Sequence, residues 1–246
     1  MKKICFLPQT CMLGAFLLVS AVCAAASGVF LLGAAGVQQR HSAAVSAEDR
    51  APVIVIDAGH GGEDGGAVAA DGTVEKDLNL EVAHILAQML SFAGYDVRMT
   101  RTEDRMLYDL YGDAEEYAGR KKTYDLRNRL RFAEEADAAL FISIHMNKFP
   151  QTQYSGLQVY YAAAEGSDTV ADAVQNAVRT YLQPENTRQT KRTDTSIYLL
   201  HRIQIPAVMI ECGFLSNEEE LHRLQNGDYR RALALCIACA VSEVLG

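Results

Sequence analysis

Residues 53–66 read VIVIDAGHGGEDGG. Val53 to Ile56 is a short β-branched apolar run without alternation, the pattern of a strand covered on both faces. Asp57 and Ala58 lead out of it into a glycine-rich stretch ending at Gly72, and the glycines around His60 let the backbone turn sharply and come close to a ligand. From Lys76 to Phe92 the period becomes helical. Leu78, Val82, Ile85, Leu86 and Met89 share one face, and Asp77, Glu81, His84 and Gln88 the other. Gly94 then offers the left-handed residue that ends a helix.

Tyr95–Thr100 reads as a second strand, and the polar stretch 101–123 is too long for an ordinary connection. Residues 125–136 are helical in pattern. ALFISI (139–144), residues 156–161 and AVMIEC (207–212) are further strands, with helices over 168–182 and 229–245. Ser216-Asn217-Glu218-Glu219 has the form of a capping box opening a short helix. Strands alternating with helices predict an α/β fold, a single domain over residues 53–246 whose largely parallel central sheet is flanked by helices.

The start of the 246-residue chain has another character. After Lys2 and Lys3 no charge occurs until Arg40, and Cys11 to Val37 is almost continuously apolar. A signal-peptide core takes about 7–15 residues and a spanning helix about 20. Ala24 to Ala26 would serve as a cleavage site, but Val29 to Leu32 carries the apolar run past it. Residues 1–40 are therefore read as an uncleaved membrane anchor with the domain outside, a cleaved signal segment being the alternative. Bulky Val22 argues against a lipid on Cys23. Residues 41–52, small, polar and charged, form the linker.

All 31 acidic residues follow residue 40, whereas Lys2, Lys3 and Arg40 are three of the 23 basic ones, so the remainder stands near −11 against −8 overall. That balance excludes a nucleic-acid partner, which needs a basic footprint. Cys212, Cys236 and Cys239 lie in a strand and an apolar helix and read as small buried side chains.

Three candidate central strands end beside residues suited to metal chemistry: His60 after the first, His145 after the second, and Glu211 within the third. Ligands of open α/β sheets bind beyond the carboxyl ends of the strands, so parallel strands would gather these residues at one edge. A catalytic zinc takes three nitrogen or carboxylate ligands and keeps a position open. Glu75, Glu63, Asp64 and Asp71 are all carboxylates near enough in sequence to complete the set. Glu75 is favoured because a helix holds a ligand more rigidly than a glycine loop, although spacing does not settle the choice.

VIVIDAGHGGEDGGAV (53–68) with EKDLNLEVAHILAQML (75–90), FISIHMN (141–147) and VMIECGFLSNEEE (208–220) resemble the three signatures of the family-3 N-acetylmuramoyl-L-alanine amidases, in order and over essentially all of residues 53–245. The resemblance implies zinc held by His60, Glu75 and His145, and Glu211 as catalytic carboxylate. It implies peptidoglycan as substrate, cut between N-acetylmuramic acid and L-alanine without a covalent intermediate, outside the cytoplasmic membrane. Residues 100–129 and 187–200 look most like the germination-specific amidases of spore-forming bacteria. Those strip peptides from cortex muramic acid, a step toward muramic lactam, which makes a muramic acid deacetylase or an accessory activator an implied partner. The chain departs from the family at Ala58, where proline is usual, and at Lys148, where a small residue is common.

Other readings stand beside this one. A zinc peptidase or deacetylase of the same polymer would use similar residues, a vegetative amidase would share all of them, and a wall-binding module would not need them. Asp57 reads either as an orienting group behind a ligand or as a turn cap, and Arg120-Lys121-Lys122 as a solvated patch. His84 and His222 fall on wet helical faces, and His201 has no assigned role. Cys212 beside Glu211 suggests a cysteine hydrolase, but successive strand residues face opposite ways, so a site that uses Glu211 turns Cys212 away.

Overall fold

The computed structural model describes residues 50–112 and 119–246. The proposed anchor and nearly all of the linker lie outside the described residues, among which no helix is long and apolar enough to cross a membrane.

Six strands form one sheet: β1 (Val53–Ala58), β2 (Asp96–Met99), β3 (Leu140–Asn147), β4 (Gln158–Tyr161), β5 (Lys191–Arg192) and β6 (Ala207–Phe214). Their order is β2-β1-β3-β6-β4-β5. β1, β2, β3 and β6 run parallel, as expected of the apolar runs, while β4 is antiparallel to β6. The helices are α1 (Glu75–Phe92), α2 (Lys121–Glu135), α3 (Ser167–Tyr181), α4 (Tyr198–Arg202), α5 (Glu218–Gln225) and α6 (Gly227–Leu245).

The unbroken apolar strands are explained by cover on both faces. Ile54, Ile56, Ile142, Ile144, Val208 and Ile210 pack against Leu86 of α1, Val174 of α3 and Ile237 of α6. Val55 and Phe141 point the other way, to Ala133 of α2 and Leu200 of α4. At about 1.5–3 kcal/mol for each large apolar side chain buried, these two layers are the main source of stability and make the sheet a rigid base for its carboxyl edge.

Local detail differs from the sequence reading in a few places. α1 begins at Glu75 itself, and its C-terminus is closed as expected, Gly94 at φ 100° donating to Ser91. α2 begins four residues earlier than expected, at Lys121. α5 is capped by Asn217, whose side chain accepts from the Glu220 amide, so the cap sits one residue later than the Ser216 reading. The Glu220 carboxylate does not return to the cap but accepts from the Gly156 and Phe214 amides, tying α5 to the ends of β4 and β6. β5 and α4, two and five residues long, carried too little pattern to be read.

Candidate metal centre

β1, β3 and β6 lie side by side and parallel, which brings their carboxyl ends to one edge. His60 follows β1 in the glycine loop, His145 lies near the end of β3, and Glu75 opens α1. Glu75 Oε1 is 3.0 Å from His145 Nδ1 and 3.3 Å from His60 Nε2. The two imidazoles stand edge to face with centroids 5.0 Å apart. One donor atom from each of the three residues lies within 4.8 Å of the others, close enough to share a metal ion. Two imidazoles and one carboxylate, at 19%, 18% and 5% side-chain exposure, fit a divalent ion that keeps a position open on the partly exposed imidazole side. Of the four carboxylates left open by spacing, Glu75 is the one in this cluster.

The glycine loop and α1 hold Glu75 from both ends. The first amides of α1, which have no partner inside the helix, donate to the loop: Glu75 to Ala67 O and Lys76 to Gly65 O. In return Glu75 Oε2 accepts from the Ala67 amide at 2.8 Å, and Oε1 accepts from Met146 N and from Asn79 Nδ2. Gly66, at φ 70°, passes so near that a Cβ there would meet Glu75 Oε2 at 2.5 Å. Burial opposes the Glu75 charge, but hydrogen bonds from His145 and His60 outweigh it and hold the carboxyl well below the usual range. Burial likewise disfavours a charged His60, yet Glu75 and then Asp64 prevail and raise its pKa.

Glu211 stands directly across from His145 in the parallel register of β3 and β6. Its Oε2 is sealed from solvent and accepts no hydrogen bond among the described residues. Burial pushes its carboxyl up to about 7, with the Glu75 charge adding and the imidazoles opposing. Cys212 faces away, fully buried among the apolar residues under α6, and burial drives its thiol far above the ordinary range. Both features exclude it as the nucleophile.

Behind the site lies a network the sequence did not announce. Asp57 touches no member of the cluster and caps no turn. It is fully buried and accepts from Thr100, Ser143 and Arg129. Arg129 is also bound by Asp125, and it donates to Ala58 O and His60 O at 2.9 and 2.6 Å. Arg101 adds bonds to Ala58 O and Gly59 O. The one available signal was Asp125 and Arg129, four apart on a helix face that pattern assigns to the core.

Lys121 and Lys122, read as a solvated patch, pair with Glu63 at 2.6 Å and Asp64 at 3.2 Å. Asp64 Oδ2 is in turn 3.0 Å from His60 Nδ1. Lys148 donates to Val68 O across the loop. His84 meets Thr102 O at 3.1 Å, while His201 and His222 are exposed.

Residues 54–243 match the family model described as N-acetylmuramoyl-L-alanine amidase. The chain is 38% identical over 186 residues, 75% of its length and 76% of the relative's, to the germination-specific N-acetylmuramoyl-L-alanine amidase of Bacillus subtilis. Its fold matches the CwlD amidase of Clostridioides difficile, solved in complex with the GerS lipoprotein, at TM-score 0.72 and 35% identity, covering 79% of this chain and 98% of that one. It matches the catalytic domain of the amidase CwlV from Bacillus (Paenibacillus) polymyxa at TM-score 0.63 and 29% identity, covering 79% and 98%. With a converging His-Glu-His cluster at the sheet edge and a family match over most of its length, the chain belongs to the N-acetylmuramoyl-L-alanine amidases.

Proposed function

We propose that this amidase is zinc-dependent, with His60, Glu75 and His145 as ligands and Glu211 as its catalytic carboxylate. It cuts the amide between the lactyl group of N-acetylmuramic acid and L-alanine. The observation that carries the reading is the cluster itself: two imidazoles and a buried carboxylate converge beside a second carboxylate whose Oε2 has no hydrogen-bond partner among the described residues.

Bound zinc supplies a water of lowered pKa and polarises the scissile carbonyl. The chain supplies the rest. Glu211 takes the proton of the attacking water and returns it to the departing alanine nitrogen, which leaves as an amine. A carboxyl poised near neutrality suits a group that must both accept and release that proton. The Glu75 carboxylate, kept ionised by its neighbours, stays available as a ligand rather than competing for the proton.

The likeness to a germination-specific enzyme supports a role in removing cortex peptides ahead of muramic lactam formation. In that setting a muramic acid deacetylase acts next on the same sugar. An accessory activator is a further partner, since the structural relative was solved with a lipoprotein. Residues 1–40 hold the enzyme at the outer face of the membrane, 41–52 tether it, and 53–246 catalyse.

The test is digestion of purified peptidoglycan with mass spectrometry of the ends. Free N-terminal L-alanine and glycans bearing bare lactyl groups support the reading. A new amine inside the stem would mean a peptidase, loss of acetyl groups a deacetylase, and no new ends a binding module. In a spore-former, normal muramic lactam after deletion of the gene would remove the cortex role and leave the amidase.

A further inference from the structure

One row of the sheet runs past Glu211 to the buried Gln158. His145 in β3 is in register with Glu211 in β6, and Glu211 with Gln158 in β4. Residues in register point to the same face, so the three side chains stand in line. With strands about 4.8 Å apart, the row is roughly 10 Å long.

Its far end holds an arginine. Arg188 Nη2 donates to Gln158 Oε1 at 2.7 Å, and Gln158 is itself fixed by a 2.7 Å bond from Nε2 to Gln189 O. The guanidinium lies 4.8 Å from the centroid of the Phe214 ring. Phe214 lies three residues beyond Glu211 on the same strand. Among the described residues Arg188 forms no ion pair, and its Nε is sealed from solvent without a partner. Its charge acts through space on the Glu211 and Glu220 carboxyls, yet no carboxylate of the described residues closes on this partly exposed guanidinium, which leaves it open to an outside anion.

The substrate of the proposed reaction has one anion at the right place. In a muramyl peptide the residue after L-alanine is D-glutamate linked through its side chain, which leaves its α-carboxylate free. Two extended residues span about 7 Å, within the length of the row. The sugar side of the scissile bond is uncharged there, so a cation on this line fits the peptide side. We propose that Arg188 is a specificity residue that binds the free α-carboxylate of the second stem residue, so that the enzyme selects stems carrying a carboxylate there over stems in which it is amidated. The inference rests on the muramyl-alanine reading of the site and adds the direction in which the peptide lies.

Two short glycan fragments test it, one with L-alanyl-D-glutamyl stems and one with the same stems carrying the α-carboxamide. Wild type is expected to favour the carboxylate by roughly 10- to 100-fold in kcat/KM, mainly through KM, the range of a charge-assisted hydrogen bond. Arg188→Gln should bring that ratio near one, and Arg188→Lys should restore part of it. Equal use of both fragments by wild type overturns the proposal without any variant, as does undiminished preference in Arg188→Gln. Release of free N-terminal alanine from both fragments at equal rates leaves the amidase reading standing while the role of Arg188 falls. No release from either fragment, or from whole peptidoglycan, removes both.

Discussion

Arg129 Nη2 donates a 2.6 Å hydrogen bond to the carbonyl oxygen of His60, a residue at φ 61° in the left-handed region. A non-glycine residue there costs about 1–3 kcal/mol and persists only where its surroundings enforce it. Arg129, 1% exposed, enforces it from α2 while paired with Asp57 and Asp125. Arg129→Met should lower stability by about 3–5 kcal/mol, because it leaves two buried carboxylates without their cation. It should also weaken metal binding by releasing the His60 backbone. Urea unfolding and a metal titration on the same preparation measure the two effects.

The same network gives a pH dependence with a definite sign. Burial opposes the Asp57 charge, but Arg129 and the Ser143 and Thr100 hydroxyls prevail and set its folded pKa below the ordinary value. The unfolded chain therefore takes up this proton first on acidification. The contribution of Asp57 is complete above about pH 4 and is lost as pH falls through the lower folded pKa. The stability difference between wild type and Asp57→Asn should accordingly be constant near neutrality and shrink below about pH 4. A difference that grew on acidification would contradict the assignment.

The central strands were legible because each is buried on both faces and so carries an unbroken apolar run. Parallel strands ending in His60, His145 and Glu211 then placed those residues together without any distance being known. What stayed hidden depends on contacts between distant segments. The direction of β4 follows from the short return of the chain after β3, over residues 148–157, not from its four residues. Arg129 and Arg188 look like any surface arginine until Asp57 and Gln158 are placed beside them. Apart from the family resemblance, Glu75 was separable from Glu63, Asp64 and Asp71 only by the argument that a helix holds a ligand more firmly than a loop. Asp64 and Glu63 instead anchor the lysines of α2.

Gly66 offers a probe of the metal centre that alters no ligand. At φ 70°, an added Cβ would stand 2.5 Å from Glu75 Oε2 and 2.7 Å from His60 Cδ2. Gly66→Ala should therefore fold with a loss of about 1 kcal/mol or more and bind metal far more weakly. Gly65→Ala, whose Cβ would meet only Val74 at 3.2 Å, is the control expected to keep its metal.

Glu211→Gln separates binding from turnover. It keeps the size of the side chain and removes no member of the His60–Glu75–His145 cluster. Bound zinc should remain while kcat falls at least roughly a hundredfold. Retention of most activity would mean that another group carries the proton.

His60, Glu75 and His145, far apart in sequence, are proposed to hold one metal on which hydrolysis depends. Elemental analysis of the purified domain, wild type against His60→Ala, addresses it most directly. About one zinc per chain is expected in wild type and little in the variant, with peptidoglycan cleavage lost in parallel. Equal zinc in the two proteins would contradict it.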